Sequence, residues 1–394
     1  MDEQKITSQV TLGMTKDLRA KKADLSDAQI EAFVAETKKW IGREMPLDPG
    51  DEYLKDIPVE SSEIRRFALS VRDPNPLWID RNYAKKTIWG DVIAPPIFMQ
   101  QSYESQVQGT VPVQLPGVLQ SQHWLHSGIG LELFRPIKPG DQIIPTVYFD
   151  NIEVTTGKFI GQMFRNSTKT MVKNQRGELL GIHKHYDMLY SVAKAQAKNP
   201  YAHIDPKQAI PPLERPDRHR WDIKRQGATP RYYEDVNVGE ELPSWTFEFL
   251  LADIIAETSS VRVANEFLPD RAGVGCHWHY HPQTCFEVRG MPLPFDFGQL
   301  RYPWGTRLLT DWAGDNSWVW KLDWQSRKPI FAGDTIKIMG KVERKYVEDR
   351  RHCVEVYVWF ENQRGELAVK GPATVILPSK ADPNAPLLPA EPKL

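Results

Sequence analysis

The chain has 394 residues, 41% hydrophobic and 26% charged, the balance of a globular protein long enough for two domains. A formal net charge of −1 gives no general attraction to nucleic acid or to an anionic membrane surface. Three cysteines, Cys276, Cys285 and Cys353, are an odd and sparse set, which argues against a disulfide framework and for a reducing compartment. The chain has no apolar run of the roughly eighteen residues a membrane span needs, and Met1–Val10 lacks the pattern of a secretion signal, so a cytoplasmic protein is expected.

Residues 1–22 are polar. Ser26-Asp27-Ala28-Gln29 reads as a capping box, after which Ile30, Phe33, Val34, Trp40 and Ile41 recur at helical spacing. Residues 1–59 are therefore expected to form an extension carrying one amphipathic helix. Arg72-Asp73-Pro74-Asn75-Pro76-Leu77 cannot be regular throughout, because the two prolines fix φ and push Asp73 and Asn75 out of the α region. A stiff turn follows, then a short helix through Tyr83-Ala84 and an apolar segment broken at Pro95-Pro96. Phe98 to Val107 could be helical. Past His123 and His126 the pattern turns to strands over 143–154, 158–173 and 179–192, with a turn at Asn174–Gly177.

The second half repeats the first. NQRGEL occurs at Asn174–Leu179 and again at Asn362–Leu367, and Arg135-Pro136-Ile137 with Gly140-Asp141 matches Lys328-Pro329-Ile330 with Gly333-Asp334. Two motifs in the same order argue for a tandem duplication. Pro200, Pro206, Pro211, Pro212, Pro216 and Pro230 lie among charges between the copies, the composition of an extended connector. The domains expected are 60–193 and 231–378, joined by a linker over 194–230, with a loose proline-rich tail at 379–394. Strands grouped after a helix suggest an α+β layer. Neither a phosphate-binding glycine loop, a G-x-S-x-G elbow nor a paired C-x-x-C is present, which sets aside nucleotide, serine-hydrolase and zinc-ribbon chemistry.

The stretch Glu63–Met99 resembles the signature of MaoC-like (R)-specific enoyl-CoA hydratases, D-x-N-P-[LI]-H-x-D-x-x-x-A followed by I-A-H-G-M. Asp73, Asn75, Pro76, Leu77, Asp80, Ala84, Ile93 and Ala94 fall on that pattern, while Trp78 stands at the catalytic His and Pro96 at the glycine whose N–H meets the thioester oxygen. Arg231–Gly239 resembles the usual opening of such a domain. In the second copy His279-Tyr280 falls on the H-Y of the pattern and Gly298 on its glycine, but no D-x-N-P lies upstream. The resemblance covers about residues 60–378 and implies a double hot-dog fold, two antiparallel sheets each wrapped round a central helix.

The function implied is hydration or dehydration of an enoyl-CoA or 3-hydroxyacyl-CoA thioester, with CoA entering as part of the substrate. No metal or redox cofactor and a homo-oligomeric assembly are expected. The catalytic candidates are Asp73 and His279, with Asn75, Trp78 and Gly298 binding substrate. They form either one site centred on His279 or a composite to which Asp73 contributes across the seam. The alternatives are a hot-dog thioesterase, another CoA-thioester lyase and a non-catalytic acyl-CoA-binding subunit. His277, His279 and His281 would share one face if extended, a pattern known for zinc or iron sites, but with no matching carboxylate they read as hydrogen-bonded histidines. His123 and His126, beside Trp124, read as a packed polar network. Trp78, Trp89, Trp278, Trp304 and Trp312 serve either a pocket for a bulky acyl group or core packing. Arg135, Lys138, Arg327 and Lys328 are candidates for the CoA phosphates.

Overall fold

The computed structural model describes residues 26–45, 55–102, 122–157, 161–209, 225–258, 279, 285–286, 289–298 and 301–392. Its first half contributes β1 (Glu44–Met45), β2 (Gln122–Leu133), β3 (Ile144–Gly157), β4 (Gly161–Lys173) and β5 (Leu179–Ser191). Its second half contributes β6 (Trp245–Glu248), β7 (Trp318–Ser326), β8 (Thr335–Glu348), β9 (Arg351–Asn362) and β10 (Leu367–Leu377). All pairings are antiparallel, in one sheet of order β1-β3-β4-β5-β2-β7-β10-β9-β8-β6. The order β2-β5-β4-β3 in one half is repeated as β7-β10-β9-β8 in the other. The halves meet where β2 pairs with β7, Gly128 opposite Gln325 and Leu131 opposite Leu322.

The NQRGEL turns are equivalent down to their side chains. Each joins the last two strands of its half, β4 to β5 and β9 to β10, through a glycine at positive φ (Gly177 at 76°, Gly365 at 71°). In one, Asn174 Oδ1 accepts from the N–H of Arg176 and Glu178, and Arg176 reaches Asp141. In the other, Asn362 Oδ1 accepts from Arg364 and Glu366, and Arg364 reaches Asp334. The duplication is thus visible as one hydrogen-bond pattern built twice.

Helix α1 (Asp27–Lys38) starts at the expected capping box on Ser26 and buries Ile30 and Phe33 against β3 and β4, Phe33 meeting Phe164 edge-on at 5.4 Å. Ile41, past the helix end, is exposed instead. Helix α2 (Ser61–Ser70) is followed by two single turns, α3 (Pro76–Ile79) and α4 (Arg81–Ala84). The expected helix from Phe98 is a 3-10 turn over Phe98–Ser102, and residues 103–121 lie outside the described residues. The linker begins helical, not extended, as α5 (Val192–Lys198), because Ser191 caps a run of helix-favouring Ala and Lys. Helix α6 (Leu251–Thr258) precedes α7 (Arg301–Ala313), the central helix of the second half, buried on every side. The tail is held rather than loose: Arg350 pairs with Asp382, Arg351 donates to the Leu388 carbonyl, and Arg135 reaches Glu391. Among the described residues no helix is long and apolar enough to cross a membrane.

Candidate active site

The duplication builds two clefts at the seam, and their contents differ. The first gathers around the proline-stiffened turn. Asp73 Oδ1 accepts from the Asn75 N–H at 3.2 Å and Oδ2 from the Trp78 indole N–H at 2.8 Å, while Asn75 Oδ1 caps α3 at the Leu77 N–H at 2.9 Å. The carboxyl is 2% exposed. Burial raises its pKa, opposed first by the Arg307 guanidinium and then by the Trp78 hydrogen bond. Arg307 of α7 also bonds Asp311 and the Arg72 carbonyl, and Arg225 bridges Asp311 and Asp315. Burial and the neighbouring Asp73 raise the Asp311 carboxyl to about 6.

The space left in this cleft is about 30 Å³, between Asn75, Trp78, Trp89, Pro96 and Trp318, room for about one water. Three expectations are corrected here. Asp73 does not project into a cleft; it lines neither cavity, because its two oxygens are taken by Trp78 and Asn75. Asn75 and Trp78 face a space too small for an acyl chain, Asn75 acting as a helix cap and Trp78 as the hydrogen-bond donor to Asp73. Where the resembled pattern has an imidazole, an indole fills the cleft.

The second cleft is open, with a cavity of about 650 Å³, well within the range of small-molecule sites. Strands of the first half supply Leu125, His126, Met163, Met188 and Tyr190; the second half supplies His279, Phe295–Gly298, Arg301 and Ser326–Pro329. His279 and Gly298 therefore share one cavity, while Asp73 is not part of it. Among the described residues no tryptophan lines it; Trp304, Trp312 and Trp324 are buried in the core.

His279 is 5% exposed and its ring lies between Phe295 and Phe297, centroids 4.2 and 4.1 Å away. Nδ1 lies 3.0 Å from the Phe295 carbonyl, which can only accept, so Nδ1 carries the hydrogen and Nε2 is the basic nitrogen of the neutral ring. Burial, and then the Arg289 guanidinium, push its pKa well below the ordinary imidazole value. The backbone at 279 is helical, so the strand alternation expected of His277, His279 and His281 fails at its central residue, and the outer two lie outside the described residues. Asp296, on the same wall, is committed elsewhere: Arg301 holds both its oxygens and the Ile330 N–H donates to it.

An added Cβ at Gly298 would stand 2.6–3.0 Å from the ring and Cβ of His126, so any larger residue there would force that ring to move. His126 is thereby placed on the cavity wall, and it is also the start of a buried polar chain. Its Nε2 lies 2.5 Å from Tyr302 Oη, which is 3.1 Å from Ser326 Oγ; its Nδ1 lies 3.1 Å from His185 Nε2, which is 2.9 Å from Asp187 Oδ1. Burial pushes the His126 pKa down to about 3. Burial alone would raise Asp187, but His185 and His126 outweigh it and hold the carboxyl low. Sequence reasoning placed His126 in a polar network and missed the cavity, and it missed His185, Asp187 and Tyr302 altogether. Their signal was the alternation His183, His185, Asp187 in a strand, which stacks three polar side chains on one face.

A family model described as "FAS1-like, dehydratase domain region" matches residues 45–181. A UPF0336 protein of Streptomyces avermitilis is 33% identical over 121 residues, covering 30% of this chain and 75% of that protein. Another from Saccharopolyspora erythraea is 32% identical over 120 residues, covering 30% and 72%. This chain belongs to the UPF0336 family. Its double hot-dog fold is that of MaoC-like proteins. One solved MaoC-like dehydratase superposes with a TM-score of 0.62 at 17% identity, covering 87% of this chain and 100% of that one. A conserved hypothetical protein of Mycobacterium tuberculosis, described as having a double hotdog fold, superposes at 0.53 with 12% identity, covering 86% and 96%. The family model falls on the half of this UPF0336 protein whose own cleft is closed, so the chemistry of the open cleft is argued from its geometry.

Proposed function

We propose that this UPF0336 protein is a hydro-lyase that adds or removes water across the C=C bond of an acyl-CoA thioester, in the cleft of its second half. The observation that carries the proposal is the joint placement of His279 and Gly298 on one 650 Å³ cavity at the seam. Apolar walls from Leu125, Met163, Met188 and Phe297 suit the hydrocarbon part of an acyl group. Lys198 and Arg327 on the same cavity offer cations to the CoA phosphates, while Lys328 beside them is paired with Glu366. Of the other basic candidates, Arg135 is paired with Glu391 and Lys138 donates to the Trp89 carbonyl.

In hydration, neutral His279 takes a proton from water at Nε2 as the oxygen attacks the β-carbon. The enolate oxygen that forms is met by the Gly298 backbone N–H, and the α-carbon then takes a proton from the imidazolium. The depressed pKa of His279 suits the second step, because it makes the imidazolium a strong acid. Dehydration is the reverse. Asp73 has no place at the reacting atoms in this scheme; it clamps Trp78. The reading needs no redox cofactor, and it is that of a cytoplasmic homo-oligomer.

The test is to follow enoyl-thioester absorbance with the purified chain over enoyl-CoAs of increasing bulk, with release of free CoA thiol measured in parallel. Loss of the enoyl band without thiol release, abolished in His279→Ala, is the expected result. Thiol release would move the activity to thioesterase, and no turnover with tight binding would make the chain an acyl-CoA-binding subunit.

A further inference from the structure

Three donor atoms capable of holding a metal ion converge beside the open cleft. Strands β2 and β5 pair with His126 opposite Asp187, and His185 lies on the same face. His126 Nδ1, His185 Nε2 and Asp187 Oδ1 form a triangle with edges of 3.1, 2.9 and 3.7 Å. As hydrogen bonds alone, the three atoms share Asp187 Oδ1 as acceptor, with His185 Nε2 close to it and His126 Nδ1 farther off. The ring centroids of the two histidines are 4.3 Å apart at 55°. An in-line N–H···N bond of this length would separate them by roughly 5.4 Å. The rings stand closer than that, inclined to one another, with the two nitrogens 3.1 Å apart.

From this geometry we infer that His126, His185 and Asp187 bind a divalent first-row transition ion, zinc by preference. The circle through the three atoms has a radius of roughly 1.9 Å, so an ion just off their plane stands about 2.0–2.1 Å from each, the usual Zn–N and Zn–O bond lengths. Two imidazoles among three donors favour such an ion over magnesium or calcium. The partner on the far side of His126 agrees. With Nδ1 on the metal, Nε2 becomes an N–H donor to Tyr302 Oη, whose own hydrogen passes to Ser326 Oγ. Metal-binding histidines ordinarily offer their other nitrogen to an oxygen in this way. His126 also lines the cavity, which puts the three atoms next to the open cleft. The site departs from the sequence expectation of no metal, and it stands whether or not the cleft hydrates thioesters.

The experiment uses the full chain, stripped with a chelator and titrated with Zn²⁺ by calorimetry and with Co²⁺ by visible absorption. One equivalent of zinc at micromolar affinity or tighter is expected, with Co²⁺ bands of a nitrogen–oxygen ligand set. Affinity should fall about a hundredfold or more in His126→Gln and Asp187→Asn. In Tyr302→Phe, which removes only the oxygen facing Nε2, it should fall about tenfold. If the buried variants fail to fold, the wild-type titration decides alone. Absence of stoichiometric binding overturns the inference, as does binding that His126→Gln and Tyr302→Phe leave unchanged.

Discussion

The two clefts descend from one duplicated unit and have diverged in what fills them. In the first, a D-x-N-P turn presents a carboxylate, but Trp78 bonds it and Trp89 and Trp318 crowd the space down to about 30 Å³. In the second, the D-x-N-P turn is missing, yet His279 and Gly298 border about 650 Å³. A signature can therefore be most complete where the space for a substrate has gone. The motif's local hydrogen bonds keep a structural use: Asn75 caps α3, and Asp73 is drawn toward α7 by the Arg307 charge. Beside the closed cleft, Asp311, Asp315, Arg225 and Arg307 form ion pairs that join the halves.

The largest expected effect sets one cleft against the other. His279→Ala should lower kcat/KM by about 10²–10⁴-fold, the usual worth of a general acid–base group, alongside a loss of stability from the space emptied between Phe295 and Phe297. Asp73→Asn should leave kcat/KM within about twofold and cost roughly 1 kcal/mol of stability through a weakened Trp78 hydrogen bond. Paired kinetics and urea denaturation of the two variants check this, and a reversal of the two results would return the chemistry to the first cleft.

A smaller effect sharpens the contrast through pH. The Asp311 carboxyl holds its proton up to about 6 in the folded chain, against 3.8 for the ordinary group. Between those values the folded state binds more protons than the unfolded state, so this group's contribution is fully present below pH 3.8 and lost as pH rises through 6. The slope is up to roughly 1.4 kcal/mol per pH unit. Denaturation of wild type and Asp311→Asn across that range should show the gap between them changing with this sign. His279, held neutral well below the ordinary imidazole range, should in contrast let kcat/KM persist on the acid side of pH 6.5. An acid limb centred at 6.5 would mean an ordinary, solvated imidazole.

How much the sequence disclosed follows from how local each feature is. The NQRGEL turns were legible because their contacts, Asn174 to Glu178 and Asn362 to Glu366, span a few residues and depend on Gly177 and Gly365 alone. The capping box at Ser26 was legible for the same reason. Asp73 was legible as a turn residue, but its place outside both cavities was not, because the Trp78 indole reaches its carboxylate and nothing in the spacing says which way that ring turns. The chain from His126 to Asp187 depends on a contact between His126 and His185, 59 residues apart, through the register of β2 on β5, and a single sequence does not state a register. His279 and Gly298 were found by position in a resembled pattern; that they border the open cleft came from the packing of the two halves.

The central claim is that one cleft of the pair accepts substrate. The most direct measurement is the stoichiometry of a saturated acyl-CoA, which can bind but not be hydrated, by calorimetry on the full chain and on Gly298→Ala. The account predicts one equivalent per chain, and weakened binding in Gly298→Ala as the new methyl meets His126. Two equivalents per chain, or one that is indifferent to Gly298→Ala and lost in Asp73→Asn, would contradict it.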